Sequence, residues 1–255
     1  MAPAATPPTP PARSDVPLAL WLCAQSDIPD AQQPTPPGVP RALVPAQLAR
    51  RLVTEYTQPG ALLVVPACSA LLCEAARLGR RAVAFASDPA AARQASAMLD
   101  VTLPADGRPL AQVRSGSLTD PEATADLTGQ AHALVTVRLD GRGHLAATVD
   151  AGSLAACAAL LRPGGLLVTI TRSQQHGGQL IDLAALTVRA AEQAGMAYLQ
   201  HVIALLAPVQ AGQFRPSVPA CRRRTLRARV ARGERAQLPV HADVLVFAGP
   251  EAADA

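Results

Sequence analysis

Lysine is absent from this 255-residue chain, so all 23 of its basic residues are arginine. Aromatic residues amount to only 2%, which leaves few platforms on which unstacked bases could lie. No apolar run approaches the roughly 18 residues needed to span a bilayer, and no membrane partner is expected. The five cysteines, Cys23, Cys68, Cys73, Cys157 and Cys221, contain no CxxC pair and no regular spacing. That excludes a disulfide framework and a zinc centre and points to a reducing compartment. His132, His144, His176, His201 and His241 lack metal-ligand spacing, so no metal is expected. The apolar residues 16–24 fit a secretory signal poorly, because Arg13 alone supplies the positive region and no small-residue cleavage pattern follows. A soluble cytoplasmic protein is the expectation.

Hydrophobic residues make up 49% of the chain and charged residues 16%, a balance that folds. The length suits one large domain. Much of the count is alanine and arginine, as genomic GC bias would produce, so neither residue type is informative by itself. Residues 1–17 are rich in proline and alanine and read as a disordered tail, and the proline-rich residues 28–40 read as an extended connector. The expected organisation is a tail and connector over 1–43, a folded domain over 44–249 and a short tail over 250–255.

From Val44 the pattern becomes periodic. Pro45 opens a helix with Leu48, Leu52, Val53 and Tyr56 on one face, stopped before Pro59-Gly60. Residues 61–65 form a continuous apolar run, as in a strand buried on both sides. A helix over 71–78 closed by Gly79, a strand over 81–86 and a helix over 90–99 follow, with Asp88 placed to cap the last. The second half predicts a strand over 131–137, a helix over 154–161 and a strand over 165–171. A helix over 180–194 and strands over 199–206 and 243–247 complete it. Strand and helix alternate, which implies parallel pairing and an α/β doubly wound sheet.

Four segments carry a family resemblance. They are the run from Pro45-Ala46-Gln47-Leu48 to Thr57-Gln58-Pro59-Gly60, the run Glu74-Ala75-Ala76-Arg77-Leu78-Gly79-Arg80-Arg81, the turn Leu161-Arg162-Pro163-Gly164-Gly165-Leu166, and the closing His241-Ala242-Asp243-Val244-Leu245-Val246-Phe247. In this order they resemble S-adenosylmethionine-dependent DNA methyltransferases acting on exocyclic amines, over about residues 43–247. The resemblance implies a Rossmann-like methyltransferase sheet, mostly parallel, with a late antiparallel strand.

The positions that carry that family's chemistry are changed. Its first strand ends approximately Leu-Asp-Pro-Phe/Met-x-Gly-x-Gly-Thr-Thr, with bare backbone at the glycines where the cofactor's amino-acid part lies. Here Val64-Val65-Pro66-Ala67-Cys68-Ser69-Ala70-Leu71-Leu72 stands in its place. Val65 replaces the acid, and Ser69 and Leu71 or their neighbours replace the glycines. Ala86 stands where the second strand should end in an acid for the ribose hydroxyls. Asp88, two residues later, reads as a helix N-cap or as a displaced ribose ligand. Val113-Arg114-Ser115-Gly116-Ser117 replaces a Gly-Asp-Ala turn near the adenine. The family's catalytic Asp/Asn/Ser-Pro-Pro-Tyr/Phe is represented by Val137, Arg138, Leu139 and Asp140, none of them a motif residue. Asp140 reads as a loop acid, Gly177-Gly178 as a turn, and Cys68 as a buried thiol or one made reactive by a helix N-terminus.

Arginine is concentrated at Arg222, Arg223, Arg224, Arg227, Arg229, Arg232 and Arg235, with Glu234 the sole acid among them; elsewhere 16 arginines face 18 acids. The basicity is local and could hold phosphates, or the stretch could be a solvated loop. The resulting expectation is a degenerate methyltransferase, a pseudoenzyme without catalytic residues or bound cofactor that acts in binding or as a scaffold. Its contacts would be a nucleic acid at Arg222, Arg223, Arg224, Arg227 and Arg229, or a protein. The alternative is an active nucleic-acid methyltransferase with a shifted site, holding S-adenosylmethionine through Pro66, Cys68, Ser69 and Asp88.

Overall fold

Alternating strands and helices carry the chain back and forth across one sheet. The computed structural model describes residues 16–24, 44–66, 69–86, 88–138, 151–172, 174–176, 179–215, 220–233 and 240–249. In chain order the first half comprises β1 (Leu18–Leu22), α1 (Ala46–Tyr56), β2 (Leu62–Pro66), α2 (Ser69–Arg77), β3 (Arg81–Ala86), α3 (Pro89–Thr102), β4 (Ala111–Ser115), α4 (Pro121–Thr124) and β5 (Ala131–Arg138). The second half comprises α5 (Ala151–Leu160), β6 (Leu161–Thr171), β7 (Gln174–His176), β8 (Gln179–Ile181), α6 (Leu183–Gln193), β9 (Ala197–Leu205), β10 (Val209–Gln210), β11 (Gln213–Phe214), α7 (Ala220–Ala231) and β12 (His241–Ala248).

Eight strands form the main sheet in the order β1-β9-β12-β6-β5-β2-β3-β4. β12 runs antiparallel to both β6 and β9, and the remaining pairs are parallel. This is the mostly parallel, doubly wound methyltransferase sheet with a late antiparallel strand that the sequence implies. The order reverses between β2 and β5, so the crevice lies beyond the carboxyl ends of these strands.

The period of two along each strand divides the core. Leu63 and Val65 of β2 face a cluster with Leu48 and Leu52 of α1, Leu71 of α2 and Leu99 of α3, while Leu62 and Val64 face Leu154 of α5 and Val188 of α6. Both faces of β2 are buried, as its unbroken apolar run requires.

Three sequence expectations are revised. The apolar residues 16–24, set outside the domain, supply β1, which pairs in parallel with β9 from Leu18↔His201 to Leu22↔Leu205. The helix expected from residue 180 begins at Leu183, because Leu180 and Ile181 pair in the β7–β8 hairpin and Asp182 caps the helix through the amides of Ala184 and Ala185. The arginine-rich stretch, read as a possible loop, forms α7. The tail over 1–15, the connector over 28–40 and the tail over 250–255 lie outside the described residues.

Candidate functional site

At the crevice, β2 passes into α2 through residues 67 and 68. Val65 is fully buried on the α1–α2 side of the sheet, and Ala86 at the end of β3 is 2% exposed. Neither can accept a hydrogen bond through its side chain. Asp88 is the nearest carboxylate in sequence to the end of β3, and its Oδ1 accepts hydrogen bonds from the amides of Ala90 and Ala91, both at 2.8 Å. Asp88 is therefore the N-cap of α3, ahead of Pro89 in the first turn. Past β4, the Gly116 amide donates to the Ala86 carbonyl at 2.8 Å, and Gly116 takes φ +135°. A Cβ there would come within 3.1 Å of the Ala123 methyl, so the backbone after β4 lies close against α4.

The other described site residues lie at the carboxyl ends of the neighbouring strands β2 and β5. Pro66 is the last residue of β2 and Ser69 the first of α2. Val137 is half-buried against the α1–α2 cluster and Arg138 ends β5. Cys68, Leu139, Asp140 and Gly177-Gly178 lie outside the described residues. Cys23, Cys73 and Cys157 are buried, and burial pushes the Cys23 thiol up. Among the described residues no group of three or more His, Cys, Asp or Glu side chains could hold a metal ion, and no helix is long and apolar enough to cross a membrane.

S-adenosylmethionine presents an ammonium and two ribose hydroxyls that call for acceptors; the side chains of Val65 and Ala86 offer none, and the exposed Asp88 uses Oδ1 as the cap of α3. Two of the residues in the segments that carry the resemblance have structural tasks. Arg80 is buried, donates from Nε and Nη2 to the Thr57 hydroxyl and carbonyl at 3.3 and 3.0 Å, and donates from Nη1 to the Leu78 carbonyl. It ties the turn before β2 to the turn before β3. Gly165 is equally constrained, since a Cβ there would lie 2.8 Å from the Arg162 carbonyl and 2.9 Å from that of Ala131.

Two polar features escaped the sequence reading. On the α5–α6 face, the Thr136 and Thr169 hydroxyls meet at 2.9 Å, His201 Nε2 lies 3.1 Å from Asp243 Oδ1, and the buried Thr171 hydroxyl finds no partner among the described residues. The signal available was threonine recurring inside apolar strands. A cavity of about 630 Å³ opens at the other end of the sheet, lined by Glu55, Thr57, Gln58, His132, Arg162 and neighbouring backbone. There His132 Nδ1 accepts the Leu62 amide at 3.2 Å, and burial together with the Arg162 charge pulls the imidazole below its usual range, against the opposing Gln130 backbone. It lies at the amino ends of the parallel strands, away from the crevice.

No protein-family model matches the sequence, and no curated protein does. Solved structures do match. Geranyl diphosphate C-methyltransferase from Streptomyces coelicolor A3(2), in complex with Mg2+, geranyl-S-thiolodiphosphate and S-adenosyl-L-homocysteine, superposes with a TM-score of 0.55 at 14% identity, over 90% of this chain and 87% of that one. A geranyl diphosphate methyltransferase in complex with SAM gives 0.54 at 16%, over 80% and 85%. The cyclase SpnF gives 0.59 at 12%, over 86% of each chain. The chain has the methyltransferase fold. These neighbours differ in the chemistry their names state, so the fold leaves the activity to be argued from the site.

Proposed function

We propose that this chain is a methyltransferase-fold protein that acts by binding and not by methyl transfer, with a nucleic-acid backbone held by α7. The observation that carries the first half is Asp88: its carboxylate caps α3 through two amides, while the strand ends beside it are Val65 and Ala86. A chain that kept the family's structural residues and lost its acids retains a scaffold without a cofactor seat. The resemblance to DNA amine methyltransferases supports nucleic acid as the partner.

The second half rests on charge. Helix α7 holds Arg222, Arg223, Arg224, Arg227 and Arg229 within twelve residues and contains no acid. Arg224 and Arg227 are exposed. Like charges crowded into one short segment repel one another, and polyanion charge relieves that repulsion. Contacts of this kind go to phosphates and are nearly independent of sequence.

A salt series of fluorescence anisotropy with a labelled duplex tests the partner. Binding by the native chain falls steeply with salt, and replacing Arg222, Arg223 and Arg224 by Ala flattens the logarithmic slope by up to about three units, since each neutralised phosphate contributes roughly 0.9. Equal slopes for the two proteins would remove nucleic acid and leave a protein partner for the same scaffold.

A further inference from the structure

Among the described residues, the outer edge of the main sheet is an unpaired apolar strand. β1 ends the strand order, with β9 on its inner side. The His201 amide donates to the Pro17 carbonyl at 3.1 Å and the Cys23 amide to the Leu205 carbonyl at 2.9 Å. Backbone groups at the odd-numbered residues therefore point inward, and the alternation of a strand turns the N–H and C=O groups of Leu18, Leu20 and Leu22 to the open edge. The same three residues carry the exposed side chains, at 67%, 61% and 69%. Trp21 and Cys23 face the core. Natural sheets protect such edges with charge, proline, a bulge or a covering element. Residues 18–22 read Leu-Ala-Leu-Trp-Leu, with none of these within the strand, and residues 16–24 carry no charge.

We infer that β1 is a homodimer interface, pairing antiparallel with β1 of a second copy across a two-fold axis at Leu20. The strand's neighbours in sequence are poor ladder donors for this edge. Its flanking stretches hold Pro3, Pro7, Pro8, Pro10 and Pro11 on one side and Pro29, Pro34, Pro36, Pro37 and Pro40 on the other, and proline cannot donate to a ladder. A second β1 can. With the axis at Leu20, Leu20 faces its own copy and Leu18 faces Leu22, so every outward group finds a partner in about six backbone hydrogen bonds. The uncharged segment opposes nothing of like sign when it meets itself. The two-fold stands normal to the sheet, so the leucines of both copies share one face and form a continuous strip. Two eight-stranded sheets then become one, and the contact is isologous and closed.

Sedimentation velocity of the full chain tests this inference, which is independent of the cofactor and nucleic-acid readings. The native chain runs as a dimer across the micromolar range. Leu20→Lys places two ammonium groups at the axis, leaves the core face of β1 unchanged, and runs as a monomer with a native circular dichroism spectrum. Should Leu20→Lys fail to fold, Leu18→Lys provides the same readout at the strand's end. Val101→Lys, which removes an 86% exposed apolar residue of α3, remains dimeric. Hydrogen exchange fixes the register: amides of Leu18, Leu20 and Leu22 are protected in the native dimer and exchange freely in the lysine variant. A monomeric native chain, a dimer that survives both lysine variants, or free exchange at those three amides in the dimer would overturn the inference.

Discussion

Asp88 stands two residues beyond the place where a ribose-binding acid is expected, and the geometry makes it the cap of α3. Both amide contacts come from the first turn of α3. Asp88→Ala is therefore expected to destabilise the fold by about 1 kcal/mol, the usual loss for an aspartate cap, whereas Asp88→Asn keeps most of it. Urea unfolding of the two variants measures this, and equal stability of Asp88→Ala and the native chain would deny the capping role. The cap was legible because Asp followed by Pro at a helix start is a local signal. Arg80 was legible only as part of a resemblance. Its role depends on Thr57, which is 23 positions away and meets it only through the packing of two turns.

Elements with strong periodicity were the readable ones. α1 buries Leu48, Leu52 and Val53 on the face that their spacing defines. β3 was read at its full extent because Arg81 and Asp88 bracket an apolar run. β1 and α7 were missed for opposite reasons. β1 is apolar at every position, so no alternation marks it as a strand, and its partner β9 lies about 180 residues later. α7 has no apolar stripe, so the pattern that normally betrays a helix is missing. The placement of β1 has a direct optical test, because Trp21 is the chain's single tryptophan, is 6% exposed, and lies under the Arg51 guanidinium at 4.8 Å from its ring centroid. Its emission is expected to be blue-shifted and weakly quenched by acrylamide in the native protein, and to become fully quenchable in urea. Emission like that of free tryptophan before denaturation would place β1 outside the sheet.

At the scale of the whole molecule, the parallel sheet was legible because strands buried on both faces write unbroken apolar runs, and the single antiparallel strand came from the resemblance at residues 241–247. The candidate site was legible only as replacements at expected positions. The structure adds that Val65 and Ala86 are buried and that Asp88 caps α3 through Oδ1. With each hydrogen bond to a charged or polar ligand group contributing roughly 1 to 3 kcal/mol, the proposed absence of several such contacts is expected to lower affinity by orders of magnitude. Calorimetric titration of the native chain with S-adenosylmethionine measures that loss most directly. No saturable heat is expected at micromolar ligand; a micromolar dissociation constant would overturn the binding-only reading.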